Sequence, residues 1–174
     1  STGKTASLLR RAGLSVKEVA TLTSFPEILS GRVKTLHPKI FGGILANKKH
    51  PLHMEEIRTL GIQPFDMVVV NLYPFVEKAK EGLGWDEMIE YIDIGGPSML
   101  RAAAKNFKNV VCVSSPSQYK SILQEVQKNN GFVSLELCKE LAKKVFYITK
   151  EYDNAIYNYL QGKNILTWNL EEVR

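Results

Sequence analysis

Cysteine is scarce in this chain: Cys112 and Cys138 are the two in 174 residues, and they stand at neither CxxC nor metal-ligand spacing. A disulfide-stapled secreted fold and a cysteine zinc site are therefore excluded, and reduced thiols in a reducing compartment are expected. No stretch approaches the roughly 18 consecutive apolar residues of a membrane span. The opening residues also lack the basic, apolar, small-residue order of a signal peptide, so a cytoplasmic protein is expected. Missing too is any dense block of Lys and Arg. The net charge of +5 is scattered along the chain, which argues against nucleic acid as the partner. A site for a small phosphorylated metabolite uses the same surplus of cations more economically. His50 and His53 have no carboxylate or thiol at ligand spacing, so no metal is expected. Repeats and low-complexity tracts are absent, and so is an initiator Met ahead of the small-residue opening STGKT, which is expected of a chain whose start is missing.

What is present is a hydrophobic content of 44%, enough for one core in one domain. Thr5 to Arg11 reads as a short helix stopped near Gly13, and Val16 to Val19 as a brief strand. RVKTLHPKIFGGILA, from Arg32, carries Pro38, Gly42 and Gly43 and reads as a loop followed by a short apolar segment. Pro51 to Leu60 has Met54, Ile57 and Leu60 at helical spacing with Gly61 as a stop. Asp66 to Leu72 is a β-branched run, the pattern of a strand buried on both faces of a parallel sheet. Trp85 to Ile92 reads as a helix and Asn109 to Val113 as a second central strand. Ser115 and Pro116 open another helix, and Ser134 caps a long one reaching about Leu160. Strands alternating with helices predict an α/β domain with a mostly parallel sheet in three layers, whose ligands sit at the carboxyl ends of the strands.

The stretch Ile92 to Asn106, IDIGGPSMLRAAAKN, concentrates chemistry on one strand-exit-to-helix segment. Gly95 and Gly96 permit a sharp turn and close approach, the helix start favours an anion, and Asp93 can cap that helix or meet a ligand. STGKT offers backbone N–H groups and hydroxyls to a phosphate, or is a plain capped helix start. It is not a Walker A loop, which needs another glycine five residues earlier. In RVKTLHP, Arg32 and Lys34 point the same way if the chain is extended, suiting a phosphate and a ring substituent, against the alternative of a solvated basic loop. His37 is structural or substrate-adjacent. Asn71 and Tyr73 share a strand face, an amide able to read a heterocycle edge beside a phenol able to donate to an oxyanion. Asp93 and Lys105 form a candidate acid/base pair, yet nine helical residues rise about 13 Å, so a straight helix does not bring both to one bond. For Lys105 the alternative is a cation stabilising a helix C-terminus.

Together STGKT, FPEILSGRVKTLHPKIFGGILA, NLYPF, IDIGGPSMLRAAAKN and TKEYDNAIYNYL resemble the inosine monophosphate (IMP) cyclohydrolase domain of the bifunctional purine biosynthesis enzymes, over nearly the whole chain from Ser1 to about Leu160. The resemblance implies a methylglyoxal-synthase-like, Rossmann-like α/β fold over residues 1–162, with 163–174 leading toward a transformylase domain. It also implies that the first strand and the phosphate-contacting loop after it precede Ser1. The implied reaction closes the purine ring of 5-formamidoimidazole-4-carboxamide ribonucleotide (FAICAR), giving IMP and water, in a homodimer with no cofactor. Carried over by motif, Lys105 resembles the proton donor and acceptor with Asp93 its partner, and Lys34 and Tyr73 orient the formyl group and stabilise its oxygen. Ser1, Thr2, Gly3 and Lys4 resemble the 5′-phosphate loop, although Lys4 stands where the family usually has glycine. Arg32, Val33 and Thr35 resemble a second nucleotide contact, and Val70, Asn71, Ile94, Gly95 and Gly96 line the base. The runner-up is a non-catalytic ligand-binding domain of the same fold, like the regulatory domain of carbamoyl phosphate synthetase. It would need the phosphate loop but not Lys34, Tyr73, Asp93 and Lys105 together; a P-loop phosphotransferase is more distant.

Overall fold

The computed structural model describes residues 1–165, so most of the tail expected as a linker lies outside the described residues. The chain divides into two compact units, Ser1–Pro64 and a second beginning at Phe65.

The first unit is helical. Helix α1 (Gly3–Arg11) ends at Ala12, with Arg10 and Arg11 in its last turn, where cations offset the carbonyl end of the helix dipole. The expected strand at Val16 to Val19 is not formed. Glu18 is extended, the Val19 N–H donates to the Ser1 carbonyl (3.2 Å), and α2 (Val19–Thr23) begins there. A tight turn through Leu29–Gly31 leads to α3 (Pro38–Leu45). The apolar segment expected after the loop is this helix: His37 Nδ1 accepts from the Lys39 N–H (3.1 Å) and Pro38 takes the first helical position. His37 is thus a cap. Gly42, inside α3, lets Ile62 approach so closely that a Cβ there would stand 3.1 Å from its Cδ1. Helix α4 (Pro51–Thr59) stops at Gly61 (φ +63°), as its spacing predicts.

The second unit carries the parallel pairing expected of an α/β fold. Strand β1 (Met67–Val69) pairs with β2 (Val111–Val113) in register Met67 to Val111, Val68 to Cys112 and Val69 to Val113, and among the described residues the sheet has these two strands. Between them run α5 (Phe75–Lys80), α6 (Trp85–Ile89) and α7 (Gly95–Lys105). After β2, Ser115 Oγ accepts from the Ser117 N–H (3.1 Å) at a short 3-10 turn leading into α8 (Tyr119–Lys128). Ser134 Oγ accepts from the Leu137 N–H (3.4 Å) and caps α9 (Leu135–Leu160). One expectation needs correction: Val68 and Cys112 are buried, but Met67 and Val69 on the opposite face of β1 are exposed. The β-branched run therefore reflects strand pairing and one covered face, not burial on both.

The core sits where α7 and α9 pack on each other and on β2. Helix α9 buries Cys138, Leu141, Ala142, Val145, Ile148, Thr149, Tyr152 and Ala155, a stripe at helical spacing. Helix α7 buries Leu100, Ala102, Ala103 and Ala104 among α9 and the strands, and its alanines let these neighbours come close. Phe75 is fully buried, edge-on to Tyr152 and Tyr159. Both cysteines are free and buried, and burial pushes the Cys112 thiol up to about 12, which keeps it unreactive. Ala103 leaves no room to grow, so Ala103→Leu is expected to destabilise the protein by about 1–3 kcal/mol. The urea midpoint should fall at unchanged slope.

Candidate functional site

In the first unit the chain reverses between Ile28 and Val33, whose backbones exchange N–H···O bonds of 3.2 and 3.4 Å. The reversal uses three successive left-handed residues, Leu29 (φ +54°), Ser30 (φ +55°) and Gly31 (φ +91°). For Leu29 and Ser30 this conformation is strained, at a cost of order 1–2 kcal/mol each. The register has a direct consequence. Beside a hydrogen-bonded pair 28–33, residues 27 and 34 are the next opposed pair with side chains on one face. Lys34 Nζ accordingly stands 3.1 Å from Glu27 Oε1. Gly31 lies against both: a Cβ there would come within 3.0 Å of Lys34 Cε and Nζ and Glu27 Oε1. The half-exposed pair contributes little stability; it fixes where the ammonium stands. Arg32 is helical in φ and ψ, so the stretch from Arg32 to Lys34 is not extended as the same-side reading of the two cations requires.

Lys34 and Glu27 line a small cleft with Thr2, Gly3 and Val19. Thr2 is the extended N-cap of α1, with no side-chain cap bond and no acid in the first turn, and Gly3 (φ +48°) turns the chain into the helix. The Ala6 N–H reaches the Thr2 carbonyl (3.2 Å), so the amides of Gly3, Lys4 and Thr5 precede the first intrahelical bond and favour an anion. The two segments named from sequence, Thr2 to Gly3 and Lys34, thus meet at one cleft. Glu27 was not foreseen, and only the turn register could have indicated it.

In the second unit Asp93 stands just before α7. Its Oδ1 accepts from the Gly96 N–H (2.8 Å), and the Tyr73 backbone amide also favours its charged form. Burial pushes the Asp93 carboxyl above the ordinary carboxylate range, and the two amide donors offset that only in part. Gly96 is required, because a Cβ there would overlap the Asp93 carboxylate. Past β1 the Val70 N–H donates to the Val113 carbonyl (3.0 Å), prolonging the ladder by one bond. Leu72 is then buried between exposed Asn71 and Tyr73, so those two lie on one side, as strand alternation predicts. Asn71 Nδ2 donates to Tyr119 Oη (3.2 Å), a partner not foreseen from sequence. Ile94, at the start of α7, is exposed.

Lys105 is not brought to Asp93. Helix α7 runs unbroken over 11 residues from Gly95 to Lys105, which separates its ends by about 15 Å. It starts directly after Asp93 and runs without a break, so Lys105 lies at the far end of α7 from the Asp93 carboxylate.

Residues 1–98 match the family model described as "MGS-like domain". The chain belongs to the MGS-like domain family. Residues 103–173 of this MGS-like protein match a second family model, "AICARFT/IMPCHase bienzyme". It is 52% identical over 163 residues to "Bifunctional purine biosynthesis protein PurH" of Polynucleobacter necessarius subsp. necessarius (strain STIR1), covering 93% of this chain and 31% of that one. It is 50% identical over 175 residues to the PurH of Trichormus variabilis (strain ATCC 29413 / PCC 7937), covering 100% of this chain and 35% of that one. The chain therefore spans about a third of the length of the curated relatives it matches. Among solved structures it is similar to the "Crystal structure of ForH", with a TM-score of 0.74 and 37% identity, covering 90% of this chain and 81% of that one.

Two predictions follow from the Asp93 environment. Gly96→Ala should displace the carboxylate from the helix start and lower stability by roughly 1–3 kcal/mol, read by thermal denaturation. For Asp93 itself the folded state holds its proton more tightly than the unfolded state. Its favourable contribution is full below the ordinary carboxylate range and is lost as pH rises through the raised value. Asp93→Asn is thus expected to raise the melting temperature relative to wild type near neutral pH, with the gain vanishing in acid where Asp93 is already protonated.

Proposed function

We propose that this MGS-like protein is an IMP cyclohydrolase, closing the ring of FAICAR to give IMP and water. The observation that carries the reading is that proteins named bifunctional PurH are about half identical to it along essentially its entire length. The partly buried Asp93 carboxylate, raised in proton affinity, supports it as a group able to exchange a proton.

The chemistry sets what the residues must do. The carboxamide nitrogen is a poor nucleophile and must attack a formyl carbon borne by the same imidazole ring. The two groups have to be oriented, one proton removed from the carboxamide nitrogen and one from the formamido nitrogen, the tetrahedral oxyanion stabilised, and both protons delivered to the former formyl oxygen so that it leaves as water. Asp93, whose burial raises its proton affinity, is the group assigned to exchange a proton with the carboxamide. The Tyr73 hydroxyl and the Lys34 ammonium, held by Glu27, orient the formyl group and meet its developing negative charge. The α1 start, with Ser1, Thr2, Gly3 and Lys4, takes the 5′-phosphate, helped by Arg32, Val33 and Thr35. Val70, Asn71, Ile94, Gly95 and Gly96 read the base. Lys105 joins the reaction as a proton donor and acceptor at a different part of the nucleotide, or at the nucleotide held by a second copy, since α7 separates it from Asp93.

The enzyme acts as a homodimer in the cytoplasm, with residues 1–162 as the cyclohydrolase domain and 163–174 leading out of it. No helix among the described residues is long and apolar enough to cross a membrane. Lys105→Ala is expected to reduce conversion of FAICAR to IMP by at least about 100-fold, the scale of losing a general acid or base. IMP binding, measured by calorimetry, should be retained. Full activity of Lys105→Ala would remove Lys105 from the mechanism, and wild-type protein that binds IMP without turning over FAICAR would favour a non-catalytic nucleotide-binding domain.

A further inference from the structure

Tyr152 lies in the middle of α9, 1% exposed, its ring edge-on to Phe75 with centroids 6.3 Å apart. Its hydroxyl accepts from the Asp93 N–H (2.9 Å) and donates to the Tyr91 carbonyl (2.9 Å). One phenol thereby satisfies a donor and an acceptor of the loop that delivers Asp93, from 59 residues further along the chain. Asp93 is held at both ends: its main chain by the Tyr152 hydroxyl, and its carboxylate by the N–H group of Gly96. Helix α9 is a stiff anchor, packed on α7 and β2. The helix that offers the Gly96 amide and the helix that offers the Tyr152 hydroxyl are thus one packed pair. A phenylalanine at 152 would keep the ring and its edge contact while removing both hydrogen bonds.

We propose that Tyr152 is a positioning residue for Asp93, fixing the loop from Tyr91 to Asp93 so that the carboxylate stays on the start of α7. As a contribution to catalysis this rests on the cyclohydrolase reading above. The holding of Asp93 stands on its own geometry.

The test is Tyr152→Phe in the full chain, followed by three readouts. Amide hydrogen exchange is measured at Gly96 and, as an internal control, at Ala103 and Ala104 in the buried part of α7. Release of the carboxylate should speed exchange at Gly96 by about 10-fold or more and leave the two alanines unchanged. Turnover of FAICAR should fall about 10- to 100-fold, the scale of a misplaced reacting group. IMP affinity should hold within about 2-fold, as expected when the lost interaction matters for chemistry rather than binding. The same substitution is then made on Asp93→Asn, where it should lower the residual rate by less than about 2-fold, because the group it positions is already gone.

Unchanged exchange at Gly96 would overturn the proposal whatever the activity. An unchanged rate in an active protein would overturn it too, as would an equal fall in rate on the Asp93→Asn background, which marks a general structural role. Wild-type protein without turnover would sink the cyclohydrolase reading instead. Faster exchange at Gly96 in Tyr152→Phe would then still establish that Tyr152 holds Asp93.

Discussion

The close approach of α7 and α9 is the contact on which the second unit depends. Alanines at 102, 103 and 104 keep the buried sides of α7 thin where it meets α9 and the strands, and α9 brings an apolar stripe that includes Ala142, Val145 and Ala155. The gain is partly burial and partly dispersion between well-packed surfaces. Its further effect is positional. With α9 seated on α7, Tyr152 reaches the loop ahead of α7, and the backbone carrying Asp93 is tied to the same frame that presents the Gly96 amide.

Local rules are broken at two sets of candidate site residues. A carboxylate is partly buried on the start of α7, where its charge is disfavoured by desolvation and only partly compensated by two amides. In the other unit, Leu29 and Ser30 adopt left-handed conformations so that the chain can reverse tightly enough to oppose Glu27 and Lys34. Each costs stability locally, and each fixes the position of a charged group. Such expense is characteristic of sites where geometry is retained for chemistry rather than for folding.

The straight course of α7 changes how its two charged ends are understood. A helix of this length is too stiff to bring its ends together, so Asp93 and Lys105 belong to different local settings. Asp93 is partly buried, amide-bonded and raised in proton affinity. Lys105 is exposed at the C-terminal turn, where a cation is also favoured by the helix dipole. At the cleft beside the start of α1, by contrast, segments some thirty residues apart in sequence do converge, because Glu27 and Lys34, on either side of the Leu29 to Gly31 turn, line one opening with Thr2 and Gly3.

Local order along the chain was legible without coordinates. Ser134 ahead of α9, Ser115 and Pro116 ahead of α8, Gly61 after α4 and the β-branched runs of β1 and β2 act through their immediate neighbours, so their signals survive in the sequence. The motifs around Asp93, Lys34 and Asn71 were likewise visible as clusters of residue types. Three features were decided only by tertiary structure: the Glu27 to Lys34 pairing, the exposure of Met67 and Val69, and the Tyr152 hydroxyl on the Asp93 loop. Cross-strand register depends on how a turn closes, strand burial on which helices cover it, and a hydrogen bond spanning 59 residues on the packing of whole helices. None of these is a property of neighbouring residues, and so a sequence can specify them only through the fold it completes.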